Sequence, residues 1–268
     1  MEQILSIDQL QRLSADIRKL RIGYITNFFL DPVKHRIWID KGDCYFERNG
    51  NTLFIIKKMP KFWNVFYCST SIDKMNDDLT EFLSKYKDAT MLFDVVGRKE
   101  QCLPVVEILR KNGLSVVTSL VRMVRITEPI HYVNDIRIKK ATETDVLEVS
   151  RLLHNFFDEQ TEQIPYDEEL MDYAKQGHIL VCMESGVLAG FLIYEINAST
   201  NYLRYWFTHP NFRDKKVGSH LLREFLNEGK ETKRQLLWVI QSNENAVVRY
   251  YHYGFSEENM YDYVMRYT

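Results

Sequence analysis

The sequence predicts an α/β fold in two tandem units, and three observations carry that expectation. Apolar residues recur with a period of two in some runs and with helical spacing in others. The two kinds of run follow one another along the chain, and their order in the second half repeats their order in the first. The chain has 268 residues with 45% hydrophobic content, enough for one large or two ordinary domains with a proper core.

The first unit is expected over residues 1–130. A Ser6-x-x-Gln9 capping box opens a helix with Leu10, Leu13, Ile17 and Leu20 at helical spacing. The aromatic segment 24–38 has no assignable pattern. Residues 44–48, 52–58 and 62–69 read as strands, with Asn49-Gly50-Asn51 turning the first into the second. A helix over 72–86 presents Met75, Leu79, Phe82 and Leu83 on one face. A strand at 91–96, a helix at 100–112 ending at Gly113 and an extended run at 115–126 complete the unit.

The second unit is expected over residues 131–268, its pattern beginning near Ile136. Thr142-x-x-Asp145 announces a helix carrying Val146, Val149, Leu152, Leu153 and Phe156 inward, and a loop at 154–165 leads to a short helix at 166–175. Strands follow at 178–183, 187–196 and 202–208. A helix with Val217, Leu221, Leu222, Phe225 and Leu226 on its apolar face comes next, then a strand at 235–241, a helix at 244–253 capped by Gly254, and a final run. Aligning Gly113 with Gly254 lays Leu109 opposite Tyr250, which points to a duplication with the chemistry kept in the second copy.

Net charge is −2 and the sequence pI is near 6.4, so no overall basic field calls for nucleic acid. No run approaches the ~20 apolar residues that cross a bilayer. The N-terminal stretch reads as a folded helix, not a signal peptide. The cysteines at 44, 68, 102 and 182 are far apart and show no metal-ligand spacing, so they read as buried thiols in a reducing, cytoplasmic compartment.

The chemistry centres on Arg213-Asp-Lys-Lys-Val-Gly-Ser219, a basic loop between an aromatic strand and a helix start. Free N–H groups and the positive end of the macrodipole make such a start a site for phosphate oxygens. Arg213, Lys215 and Lys216 have the wrong sign for that end of a helix, and an anion among them would remove the conflict. On the later helix, Ala246 and Tyr250 are four apart and share a face, so a thin ligand could pass a small residue beside a phenol. Its phenol makes Tyr250 a candidate proton donor to whatever passes there.

Over roughly residues 136–268 the sequence resembles the GNAT superfamily of acyl-CoA-dependent N-acyltransferases. The family loop R/Q-x-x-G-x-G/A is matched by Arg213-Asp-Lys-Lys216-Val-Gly218, with Lys216 where the family usually has its first glycine. The family pattern N-x-x-A-x-x-x-Y-x-x-x-G-F is matched by Asn243, Ala246, Tyr250, Gly254 and Phe255. The resemblance implies a mixed, mostly antiparallel sheet flanked by helices, with the N-terminal half a degenerate copy.

It further implies acetyl-CoA as acyl donor, held by the backbone of Asp214, Lys215, Lys216, Val217, Gly218 and Ser219. Phe207 and Thr208 would pair with the pantetheine arm, and Asn243 and Ala246 join the cofactor-binding set. The acceptor implied is a small-molecule amine. No carboxylate lies on the strand where the family often supplies a base, and Glu195 on the neighbouring strand is the substitute. Asp158, Glu159 and Glu162 lie in the loop that the family uses for its acceptor. Two other functions fit the same residues: a non-catalytic acyl-CoA sensor or interaction module, and an aminoacyl transferase using charged tRNA. A homodimer is one arrangement the sequence allows, and no metal is expected.

Overall fold

The structure is a computed structural model and describes residues 1–19, 24–130 and 135–268. The chain divides into two compact units: Met1–Leu120 with Asn259–Thr268, and Val121–Glu258.

The first unit opens with β1 (Glu2–Gln3) and α1 (Ile7–Lys19). The capping residues of α1 behave as its sequence requires: the Ser6 hydroxyl accepts from the Gln9 N–H at 3.1 Å and Gln9 Oε1 accepts from the Leu5 N–H at 2.8 Å. Leu20, expected on the same face, lies outside the described residues. The unassigned aromatic segment holds β2 (Ile25–Thr26) and the start of α2 (Pro32–Asp40). Asp31 caps α2 by accepting from the Val33 and Lys34 N–H groups, and Pro32 occupies the first turn, where its missing N–H does no harm.

Next come β3 (Cys44–Asn49), β4 (Thr52–Lys58), β5 (Trp63–Ser69), α3 (Ile72–Lys85), β6 (Met91–Gly97), α4 (Lys99–Lys111) and β7 (Ser115–Ile126). Strand order in this unit is β1-β3-β4-β5-β6, antiparallel except for β5 against β6, and β6 also pairs with residues 261–267 of the chain's last strand. The expected face of α3 is the observed one, with Met75, Leu79, Phe82 and Leu83 buried among Phe54, Phe93, Leu109 and Met265.

The second unit contains β8 (Ile138–Lys140), α5 (Glu143–Phe156), α6 (Asp167–Lys175), β9 (Ile179–Glu184), β10 (Val187–Asn197) and β11 (Thr200–Thr208). A 3-10 turn (Pro210–Lys215) leads to α7 (Val217–Glu228), then β12 (Arg234–Ile240), α8 (Glu244–His252) and the start of β13 (Ser256–Tyr267). The order is β12-β11-β10-β9-β8, again antiparallel except for one parallel pair, β11 with β12. Val146, Val149, Leu152 and Leu153 of α5 pack on Phe191, Tyr205 and Phe207 as expected. Phe156 does not join them. It closes the last turn of α5 at 48% exposure, and its ring lies 4.8 Å from that of Phe207.

The chain therefore runs twice through the same order of elements, first β3-β4-β5-α3-β6-α4-β7 and then β9-β10-β11-α7-β12-α8-β13. The fold is mixed α/β with a mostly antiparallel sheet flanked by helices. Among the described residues, no helix is long and apolar enough to cross a membrane. All four cysteines are buried and free.

Candidate active site

The site begins where two parallel strands part. β11 and β12 pair only from Thr200↔Arg234 to Leu203↔Leu237, although β11 continues to Thr208 and β12 to Ile240. At that point β11 carries one extra residue, since Ile193 faces Tyr205 while Tyr194 faces Leu203, which leaves Arg204 as a bulge. The bulge reverses which side chains face which layer. Asn201 and Leu203 lie on the α7 side, where Asn201 Nδ2 donates to the Phe225 carbonyl, whereas Tyr205 and Phe207 pack with α5.

Backbone direction along the open end of β11 follows from its partner. The Phe207 carbonyl is turned toward β10, within 2.6 Å of where a Gly190 Cβ would stand, and the His209 N–H donates to Ala189 at 2.9 Å. Strand alternation then turns the backbone groups of Trp206 and Thr208 to the open edge. Of the two residues expected to meet a pantetheine arm, Thr208 has its backbone available there, and Phe207 spends its own on β10.

The start of α7 is pressed against this edge. A Cβ on Gly218 would come within 2.8 Å of Thr208 Oγ1 and 3.2 Å of the Trp206 ring, so only glycine allows the approach. The first hydrogen bond of the helix runs from the His220 N–H to Lys216, which leaves the N–H groups of Val217, Gly218 and Ser219 without helical acceptors. Lys216 caps the helix at φ 58° and ψ 16°, the left-handed region that a glycine at this place would enter freely.

Arg213, Asp214, Lys215 and Lys216 are exposed. Beneath them, Arg137 holds the loop: it bonds Asp135 at 2.7 Å and Glu184 at 2.8 Å, and reaches the Lys215 carbonyl at 3.4 Å. His220 pairs with the same Asp135 at 2.9 Å. Sequence reading gave neither Asp135 nor Arg137 a role, because Glu184, Lys215 and His220, which this pair engages, lie far along the chain.

α8 supplies the other wall. Asn243 is its N-cap and accepts from the Ala246 N–H at 3.2 Å. Ala246 is half-buried. One turn later Tyr250 is 6% exposed, its ring 5.5 Å from Trp206 and 5.9 Å from Phe255. Burial pushes the Tyr250 phenol above its ordinary range, with Arg249 opposing weakly, so it keeps its proton well into the alkaline region. Trp206 is the residue that sequence reading passed over. Its indole Nε1 is buried with no hydrogen-bond partner, a donor left open beside Gly218 and Tyr250.

Glu195 sits on β10 opposite Tyr202 of β11. It accepts from the Tyr173 hydroxyl and pairs with Arg204 Nε at 3.5 Å, and Arg204 in turn stands 5.0 Å over the Tyr202 ring. No hydrogen bond joins it to Tyr250 among the described residues. The acidic loop is pinned to β11 by the Tyr205 hydroxyl, which donates to the carbonyls of Glu162 and Gln163 at 2.7 and 3.0 Å. Burial raises the Glu162 carboxyl to about 6, against the Asp158 N–H that it accepts. Glu159 pairs with His154 at 2.9 Å, and Asp158 caps the Gln160 N–H. Among the described residues no cluster of three or more His, Cys, Asp or Glu side chains could hold a metal ion.

The first unit has the same parting strands and fills the gap itself. β5 and β6 pair only at Trp63↔Met91 and Asn64↔Leu92. Along the freed edge of β5, β2 pairs Ile25↔Ser69 and Thr26↔Cys68. Asn27 bridges what remains: its Oδ1 accepts from the Tyr67 N–H at 2.6 Å, and its Nδ2 donates to the Asp94 carbonyl at 2.7 Å.

Comparisons with known proteins bear on this frame of parting parallel strands with a helix start at the gap. Residues 146–255 match the model of the acetyltransferase (GNAT) family. A tandem GNAT protein of the clavulanic acid biosynthesis pathway has a similar fold, with a TM-score of 0.60 at 11% identity over 99% of this chain and 96% of that one. A GNAT-family acetyltransferase from Colwellia psychrerythraea gives 0.57 at 10% identity, over 100% and 99% of the two chains. No match is found among curated protein sequences.

Proposed function

We propose that the chain transfers an acetyl group from acetyl-CoA to a small-molecule primary amine by direct attack within a ternary complex. The observation that carries this reading is the open edge of β11 meeting the uncapped N–H groups of α7, with the unpartnered Trp206 N–H between them and Tyr250. A buried donor without a partner costs about 1–3 kcal/mol, which a ligand carbonyl would recover.

Bound acetyl-CoA would supply an activated acyl carbon and a thiolate leaving group. The N–H groups from Val217 to Ser219 face its diphosphate, with Arg213, Lys215 and Lys216 adding positive charge. Thr208 and Trp206 offer backbone partners to the extended arm, which passes over Ala246. As the carbon–nitrogen bond forms and the carbon–sulfur bond breaks, Tyr250 gives its proton to the sulfur and the amine's proton goes to Glu195. The loop holding Asp158, Glu159 and Glu162 suits a cationic acceptor. The domain proposed over residues 131–268 does this chemistry. The one proposed over 1–130 is a degenerate copy whose gap β2 and Asn27 fill. Free, buried cysteines support a cytoplasmic setting.

The test is Tyr250→Phe, assayed by thiol release against a panel of amines. The expected result is a fall in kcat of about 100- to 10,000-fold with CoA affinity kept. Because burial keeps this phenol protonated, the wild-type rate should show no alkaline limb from Tyr250 below about pH 10. Unchanged transfer by the variant would remove the acid role.

A further inference from the structure

A guanidinium is charged at every pH a protein meets, so a buried one needs a counter-charge. Arg125, near the end of β7, is 8% exposed and forms no ion pair among the described residues. Its Nη1 donates to Gln235 Oε1 at 3.0 Å and its Nη2 to the Glu128 carbonyl at 3.3 Å, both neutral oxygens. Burial lowers its pKa, and the Glu128 carboxylate, beyond ion-pair distance, opposes that only in part.

Arg125 lines a cavity of about 350 Å³, within the range of small-ligand sites. Arg223 of α7 and His252 at the end of α8 line it too, and Ile126 and Leu226 give it apolar wall. Arg223 is exposed and makes no hydrogen bond or ion pair among the described residues. Two permanent positive charges thus face one carboxylate, Glu128, before His252 is counted. Gly254, at φ +81°, is part of the wall, and a Cβ there would stand 3.4 Å from Arg125 Nε.

We propose that this cavity is a second ligand site, taking a small organic anion with its acidic head between Arg125 and Arg223 and its apolar body against Ile126 and Leu226. It lies along the second half of α7 and the end of α8, away from the helix start assigned to acyl-CoA, and it stands whether or not that assignment holds. A planar carboxylate or a phosphate would meet the fork of Arg125 equally well.

Calorimetric titration of the full chain with hexanoate, benzoate and phenyl phosphate, each beside hexanamide or benzamide as neutral control, tests it. Saturable binding of at least one anion and of neither amide is expected. Arg223→Gln, an exposed change that leaves the fold alone, should weaken it about tenfold, and Glu128→Gln should tighten it a few-fold. Saturating CoA should not displace the anion. The proposal is overturned if no anion binds saturably below about 10 mM, if Arg223→Gln leaves affinity unchanged, or if CoA competes.

Discussion

Lys216 shows how far one side chain can depart from what its backbone asks. At φ 58° it holds the left-handed cap of α7, where a Cβ is unfavourable by about 1 kcal/mol or more. Retaining lysine there makes sense if its ammonium meets a phosphate. Lys216→Gly should therefore stabilise the ligand-free protein, by about 0.5 kcal/mol after the added freedom of the unfolded glycine is counted. Denaturant midpoints would show it, and a loss of stability would mean that the cap is held by contacts of the lysine stem. Tyr250 is the converse case. Its place on α8 follows from the Ala246–Tyr250 spacing, but Trp206, the ring that packs on it, comes from a strand more than forty positions earlier. That partnership has no local signature.

The parting of parallel strands is what gives each unit a gap, and the two units treat it differently. In the first, β2 and Asn27 occupy the freed edge of β5 with two short hydrogen bonds to buried backbone. Asn27→Ala would leave a Tyr67 N–H and an Asp94 carbonyl unsatisfied, so a loss of about 2–4 kcal/mol is expected in equilibrium unfolding. A loss under about 0.5 kcal/mol would show that water fills the gap as well as the side chain does. The helices were legible in the sequence because their signals are local: α3 and α7 bury the faces their periodicity sets, and Asn243 caps α8. The gap was not, since it depends on where β11 stops pairing with β12 and on the bulge at Arg204, both set by distant register. Likewise Glu195 was readable as a strand carboxylate, but its engagement by Arg204 and Tyr173 was not. Asp31-Pro32 was a readable helix start, hidden by the aromatic residues around it.

The chain repeats one order of elements and, among the described residues, keeps one open gap between its parting parallel strands. Its second unit has the glycine that admits a helix start to the strand edge, the unpartnered indole and the buried phenol. Its first unit has a filled edge in the corresponding place, so the proposed acyl-CoA arm would have only the second unit's edge among the described residues. Calorimetric titration of the full chain with acetyl-CoA tests this most directly. One molecule should bind per chain, and Gly218→Val should weaken it at least about tenfold, because a Cβ at that position already meets Thr208 Oγ1 at 2.8 Å. Two molecules bound per chain, none at all, or an affinity that Gly218→Val leaves untouched would contradict the account.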